Sequence, residues 1–292
     1  MMKADKPDAV LTGVHEFGTT AVAFNRDGKT LLSGGHLGDI RLWDVATRKQ
    51  LSENRLHEGS VRAILPISPG LYASGGDDGR IILWQNNQVK AEVQGARVTS
   101  LVLFQDRLVS GHSDKLLRLW SPTDLKLLAE IPLDDDVVAL AVRQDQLAVG
   151  LDSNIVLLDK AFKPIKTLET GGSPHDLQFS PDGRTLAAGS WFRLHVWDVD
   201  TGEMRSIPTE HNGLLTSVSF SPDGKQIATL GRHSDSAIRI LDTRNYAVLQ
   251  RYKAHELCGA MIRYSPDGRM MASGSDDESV RLYDLTNKAL IK

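Results

Sequence analysis

Residues 74–85 read SGGDDGRIILWQ and residues 273–284 read SGSDDESVRLYD. A single unrepeated core gives a chain no reason to write one phrase twice, whereas an array of similar units does. Aligned on its aromatic-Asp end, the phrase has seven copies: SGGHLGDIRLWD (33–44), SGGDDGRIILWQ (74–85), SGHSDKLLRLWS (110–121), VGLDSNIVLLD (149–159), AGSWFRLHVWD (188–198), TLGRHSDSAIRILD (229–242) and SGSDDESVRLYD (273–284). Their ends fall at 44, 85, 121, 159, 198, 242 and 284, a period of 36 to 44 residues. That period limits the fold more than any property of composition.

Two further apolar stretches lie between copies. One alternates ahead of each copy, as in Thr216 to Phe220 or Val98 to Leu103; the other follows it, as in Leu125 to Ile131 or Ala247 to Tyr252. Alternation of period two over about four to seven residues, bounded by Gly, Pro, Asp and Asn, predicts strands. Each unit offers about four of them, with almost no helical periodicity. The first two strands are joined by nameable turns: Ser180-Pro181-Asp182-Gly183, Ser221-Pro222-Asp223-Gly224 and Ser265-Pro266-Asp267-Gly268, with Asn25-Arg26-Asp27-Gly28 as a proline-free variant. Proline pre-sets φ and the final glycine accepts the exit geometry. Copies three and four use shorter turns at Gln105-Asp106 and Gln144-Asp145.

A lone four-stranded sheet leaves both faces apolar, and sheets set radially bury each face against a neighbour. The expected fold is all-β, a seven-bladed β-propeller of four-stranded antiparallel blades. Here the residues resemble the WD-repeat (WD40) family of β-propellers. Trp43-Asp44, Trp197-Asp198, the glycine-containing turns and the upstream histidines carry the resemblance, which runs from about Ala9 to Lys292. Residues 1–8 are expected as a flexible tail and 9–292 as a single propeller. Ring closure falls to 9–14, completing the last blade. The tail Ala289-Leu290-Ile291-Lys292 competes for that slot.

Composition adds exclusions. A net charge of −3 gives no basic footprint for nucleic acid, and no run of 18 or more apolar residues suggests a membrane span. The opening MMKADKPDAV lacks the apolar stretch of a secretory signal, so a cytoplasmic location is expected, although a trimmed start leaves export open. The single cysteine, Cys258, allows no internal disulfide. No cofactor or metal is expected. His36, His112 and His233, with His175 nearby, fall on different units and lack any HxH or HxxxH spacing. A monomer is expected outside any complex.

His57, Ser74 and Asp78 are residue types familiar from serine hydrolases, and His255, Ser273 and Asp277 repeat them. Repetition argues against catalysis, since an enzyme has little use for two triads in equivalent positions. The resemblance implies buried locking networks, His57–Ser74–Asp78–Trp84 and His255–Ser273–Asp277–Tyr283. Other units depart: unit three has no histidine in its preceding loop, unit one has Leu37 four residues after Ser33, unit six ends in Leu241, and units four and five have Val149 and Ala188 at the serine position. Complete networks are therefore expected in two blades only.

The loops between units and those between second and third strands share one rim, which the resemblance implies is the partner-binding face. Its expected contact residues are Arg62, Asp77, Arg97, Asp136, His175, Trp191, Phe192 and Asp276, and the expected partner is a protein or peptide. Trp191-Phe192 stands where other units place Asp, Gly, Ser or Lys, and Arg62 and Arg97 precede Asp134-Asp135-Asp136. A rival reading makes the chain a small-ligand binder or hydrolase-like enzyme at the channel mouth, using Asp136, His175 and Arg97.

Overall fold

The structure, a computed structural model, describes residues 5–232, 235–253 and 255–286. Among them are seven antiparallel sheets of four strands each and no helix. Blades 1 to 7 begin at the inner strands Thr19–Phe24, Val61–Ser68, Val98–Phe104, Val137–Arg143, His175–Phe179, Leu215–Phe220 and Gly259–Tyr264. Each inner strand touches the next, and the first touches the last, so the ring is closed. The expected seven-bladed propeller is what the chain forms.

The repeated Ser-Gly of the phrase has a packing reason. The second strand of every blade but the sixth presents a glycine to the start of the next blade's inner strand. A Cβ on Gly75 would lie 2.5 Å from Val98 Cγ1, and one on Gly111 would lie 2.4 Å from Val137 Cγ1. Gly34 faces Val61 and Gly274 faces Thr19 in the same way. Between blades 6 and 7 the pair is exchanged: Leu230 takes the glycine position, and Gly259 begins the facing strand, its Cβ position 2.6 Å from Leu230 Cδ1. One small and one large residue share each such joint, which keeps sheets in contact without voids. Cores accordingly straddle blades, as where Ile155 and Leu157 of blade 4 pack with Phe179 and Trp197 of blade 5.

Turns on the far rim behave as their sequences require. Gly28, Gly183, Gly224 and Gly268 all have φ between +68 and +71, a region glycine enters without steric penalty. In the Pro-containing turns the serine hydroxyl donates to the Asp two residues on, at 2.6 to 2.7 Å.

Residues Ala9–Leu11 pair antiparallel with Val280–Asp284 as the outer strand of blade 7, Ala9 opposite Leu282 and Leu11 opposite Val280. The paired stretch is shorter than the expected 9–14. Residues 5–8 are not a free tail. Asp5 N–H donates to the Arg251 carbonyl at 2.8 Å, Lys253 N–H donates to the Asp5 carbonyl at 2.7 Å, and Gln250 Nε2 donates to its carboxylate at 2.6 Å. The N-terminal segment thus laces blade 6 to blade 7. Residues 1–4 and the competing tail 289–292 lie outside the described residues.

Candidate functional site

Inside blade 2 the Trp84 indole N–H donates to Ser74 Oγ at 2.9 Å, Ser74 lies 2.8 Å from His57 Nε2, and His57 Nδ1 lies 3.0 Å from Asp78. One proton arrangement satisfies all four: tryptophan donates to serine, serine to a neutral imidazole, and imidazole to the carboxylate. Blade 7 repeats it with Tyr283, Ser273, His255 and Asp277, the last contacts being 2.7 and 3.0 Å. Ser74 and Ser273 have no exposed surface and the two histidines almost none. Burial lowers the pKa of His57 and His255 despite their carboxylate partners, and it holds both imidazoles neutral. A hydroxyl so enclosed has no path to a substrate.

The expectation of two complete networks is too low, for an identifiable reason. In blade 1 the acid comes from the first residue of the third strand: Asp39 lies 2.5 Å from His15 Nδ1, His15 Nε2 lies 2.8 Å from Ser33, and Trp43 donates to Ser33 at 2.9 Å. Counting four residues from the serine lands on Leu37 and misses it. In blade 3 the histidine comes from the strand itself. His112 Nε2 lies 2.7 Å from Ser110, which also accepts from Trp120 at 2.8 Å, while His112 Nδ1 meets the Ala96 carbonyl at 3.0 Å. His112 is therefore inside the blade, 1% exposed, and not available as a metal ligand at the rim. Blade 6 joins His211 to Thr229 and Asp235 at 3.0 and 3.2 Å. Blade 5, with Ala188 in place of serine, sends the Trp197 N–H to the Glu169 carbonyl at 3.1 Å.

The two loop sets of the candidate rim are zipped together by one recurring bond. The first residue after the second strand donates its N–H to the carbonyl just before the inner strand: His36 to Gly18, Asp77 to Ser60, Ser113 to Arg97, Arg232 to Leu214 and Asp276 to Cys258, at 2.8 to 3.2 Å. On this frame Asp77 collects two guanidinium groups, Arg62 at 2.7 Å and Arg97 at 2.6 Å. Burial alone would raise Asp77; the arginines hold it below the ordinary carboxylate range. Asp276 lies 3.2 Å from His36 and 3.4 Å from Arg232, and His36 reaches Ser60 at 3.0 Å. Three of the expected rim residues, Asp77, Arg97 and Asp276, thus belong to ion pairs that tie neighbouring blades, and Arg62 pairs with Asp77 inside blade 2. Asp136 and His175 are half-buried, and burial, then Arg232, lowers the pKa of His175. The expected trio Asp136, His175 and Arg97 makes no mutual contact among the described residues. His233 lies outside them.

Trp191 and Phe192 are 57% and 53% exposed, their ring centroids 5.9 Å apart. Their backbone is held to the next loop by Phe192 N–H donating to the Gly213 carbonyl at 2.9 Å, and Phe192 sits at φ 62. A left-handed aromatic residue facing solvent is costly on both counts, and among the described residues Trp191 and Phe192 are the one pair of adjacent exposed rings.

Sequence reasoning missed one further cluster. Asp176 and Arg263, from the inner strands of blades 5 and 7, form a two-pronged pair at 2.7 and 2.9 Å across blade 6, with Ser217 3.0 Å from the guanidinium. They line the central channel, a cavity of about 640 Å³ walled by inner strands of all seven blades. The signal was available: both are charges on strands whose neighbours alternate between apolar and small polar residues. Among the described residues no group of three His, Cys, Asp or Glu is placed to hold a metal, and no helix is long and apolar enough to cross a membrane.

Comparison with known families agrees with this geometry. The model of the WD domain, G-beta repeat, matches residues 8–44, 162–198, 202–242 and 247–284, more than half of the chain. The chain is a WD40-repeat protein. The four matches include blades 1, 5, 6 and 7 with their closing phrases; blades 2 to 4 are recognised by structure. Among similar proteins, Periodic tryptophan protein 2 of Arabidopsis thaliana is 26% identical over 94% of this chain and 34% of its own length. Autophagy-related protein 16 of the same plant is 26% identical over 95% and 49%, and Echinoderm microtubule-associated protein-like 1 of Mus musculus is 24% identical over 95% and 35%. The chain spans between a third and a half of the length of these relatives.

Proposed function

We propose that this WD40 ring is a non-enzymatic docking platform, and that a protein or peptide partner binds across the rim bearing Trp191 and Phe192. The observation that carries the reading is the exposure of those two adjacent rings on a rim whose loops are hydrogen-bonded to one another. Large aromatic side chains facing water are the usual anchors of interfaces, since their burial releases the most apolar surface per ordered bond. Asp77, Arg97 and Asp276, tied between blades, and Arg62, paired with Asp77, hold the surrounding surface in one shape, and Asp136 and His175 flank it. A pre-shaped surface loses less entropy on binding. The relatives support the reading in outline: their names place a similar ring in proteins of very different settings, as expected of a reusable platform.

Affinity capture from source cells tests it, comparing wild type with Trp191→Ala, Phe192→Ser and Arg62→Glu. Proteins held by wild type should be lost from the aromatic variants while their melting temperatures stay unchanged. Identical retained sets across all four would remove the rim from consideration. A thermal shift with small metabolites, coupled to indifference of the captured set, would favour the channel-mouth alternative.

A further inference from the structure

Three consecutive loops on this rim share a pattern that the proposed function does not use. Before blades 7, 1 and 2 the chain reads His255-Glu256-Leu257, His15-Glu16-Phe17 and Leu56-His57-Glu58. In each, the histidine is buried in its blade's network, and an exposed glutamate and a large exposed apolar side chain flank or follow it. Phe17 is 64% exposed, Leu257 56% and Leu56 41%. Among the described residues Glu16, Glu58 and Glu256 are exposed and their carboxylates form no ion pair or hydrogen bond.

These couples are held in place by the networks beneath them. Asp78 accepts the Glu58 N–H at 2.9 Å and Asp277 accepts the Glu256 N–H at 3.0 Å, so each brace also fixes the residue beside its histidine. In the third loop, the Glu278 carbonyl accepts the Val14 N–H at 2.9 Å, its side chain accepts the Phe17 N–H at 3.4 Å, and Phe17 is held at φ 65. An exposed phenylalanine in the left-handed region is strained without any packing gain in the free protein. The remaining loops differ. Before blade 6 the corresponding residues are Asn212 and Gly213; before blade 3, Gly95 and Ala96; before blade 4, the acidic run is partly engaged by Lys115, 3.6 Å from Asp135.

Neighbouring cations leave the glutamates in excess: Arg80, which lies close enough to Glu58 to feel its charge, is paired with Glu92 at 2.7 Å. Arg62 and Arg97 are engaged with Asp77, and Arg232 and His36 with Asp276. Arg55 ends the outer strand of blade 1, its Nε donating to the Leu37 carbonyl at 3.1 Å, and Lys253 follows the outer strand of blade 6. Against the exposed Glu16, Glu58, Glu256 and Glu278 stand Arg55 and Lys253, the two cations of this neighbourhood without an ion pair among the described residues. The balance of charge along the arc is therefore negative and interleaved with apolar knobs.

We propose that this arc receives a cationic amphipathic segment of the partner, apolar side chains interleaved with Lys or Arg, laid over the loops that precede blades 7, 1 and 2. The inference rests on the rim reading and specifies its partner. Apolar contacts with Phe17, Leu56 and Leu257 supply burial, and the glutamates select the sign of the flanking charge.

The test is fluorescence anisotropy of the full chain with a short fluorescein-labelled peptide of alternating leucine and lysine, its leucine–glutamate twin, and a serine–lysine peptide. The leucine–lysine peptide should bind at least about tenfold tighter than either. Its affinity should fall with added salt and be lost in Glu16→Lys/Glu58→Lys/Glu256→Lys and in Phe17→Ser/Leu257→Ser, both of which should melt like wild type. Equal binding of the glutamate twin, indifference to the glutamate variant, or no binding of the lysine peptide overturns the inference. If the glutamate twin binds instead and Trp191→Ala abolishes it, the cationic partner falls and the rim stands. If peptides bind but no rim variant, Trp191→Ala included, alters them, both readings fall together.

Discussion

Blades 2 and 3 stand side by side and hold the same two side chains, a buried serine and a tryptophan, by opposite routes. In blade 2 the imidazole arrives from the preceding loop as His57, and Gly76 on the second strand leaves it room. In blade 3 the loop position is Gln94, and His112, at the position of Gly76, fills the space from the strand. Blade 2 therefore uses its Asp78 to hold the imidazole, whereas blade 3 has Asp114 free to pair outward with Arg118 at 2.7 Å. What the fold fixes is the demand of a buried serine hydroxyl and indole N–H for partners, and not the residue that meets it. What differs is the hold on the loop: in blade 2 the carboxylate of the brace takes the Glu58 N–H, and in blade 3 the imidazole takes the Ala96 carbonyl instead.

The harshest way to break this comparison is to put both histidines into one blade. In Gly76→His the new Cβ would lie 2.8 Å from the Ser60 carbonyl oxygen and 3.1 Å from His57 Nδ1. Overpacking of that kind should lower unfolding free energy by about 3 kcal/mol in urea titration. Adding His57→Gln copies the blade 3 arrangement and should recover more than half of the loss. If the double variant is no more stable than the single one, the two routes are not interchangeable.

A gentler change separates the acids. Asp78→Ala strips His57 and the Glu58 N–H of their acceptor inside the blade and should lower stability by about 1–3 kcal/mol. Asp114→Ala removes a pair whose carboxylate side is a third exposed, so the loss should stay below about 1 kcal/mol. Equal midpoints for the two variants in the same denaturation series would mean that the brace adds nothing beyond a surface ion pair.

The same contrast shows what was legible in the chain. Seven spaced phrases dictate seven sheets because each blade needs its neighbours to bury two apolar faces, and local alternation places the strands. The braces of blades 2 and 7 were legible because their residues keep fixed offsets from the serine. Asp39 and His112 were not, since a side chain can enter the same space from another backbone position, and only three-dimensional proximity reveals that. The Asp176–Arg263 pair spans residues 87 apart in sequence across a channel, a distance no local pattern encodes. The rim aromatics stood out by residue type at Trp191-Phe192. The Glu-apolar couples at 16–17, 56–58 and 256–257 did not, because each lies beside a histidine whose structural role draws the attention.

Acid should expose the smallest difference between the two blades. Burial lowers the pKa of His57, His112, His211 and His255 in the fold, so the unfolded chain takes up their protons first as pH falls. Their contribution is therefore full above about pH 6.5 and is lost as pH falls below it, at up to about 1.4 kcal/mol per pH unit for each proton. The lowered carboxylates Asp235 and Asp277 act in a separate window: their stabilisation is full above about pH 3.8 and lost below it. Between these limits the blades diverge. Asp78 raises the affinity of His57 for its proton against the effect of burial, so Asp78→Asn should steepen the loss of stability between about pH 6.5 and 5. His112 has a backbone carbonyl as its hydrogen-bond partner, and Asp114→Asn should change that slope less. Urea midpoints of the two variants, followed down through this range, read the difference directly: parallel curves would mean that the acid in blade 2 braces the loop without touching the charge state of its histidine.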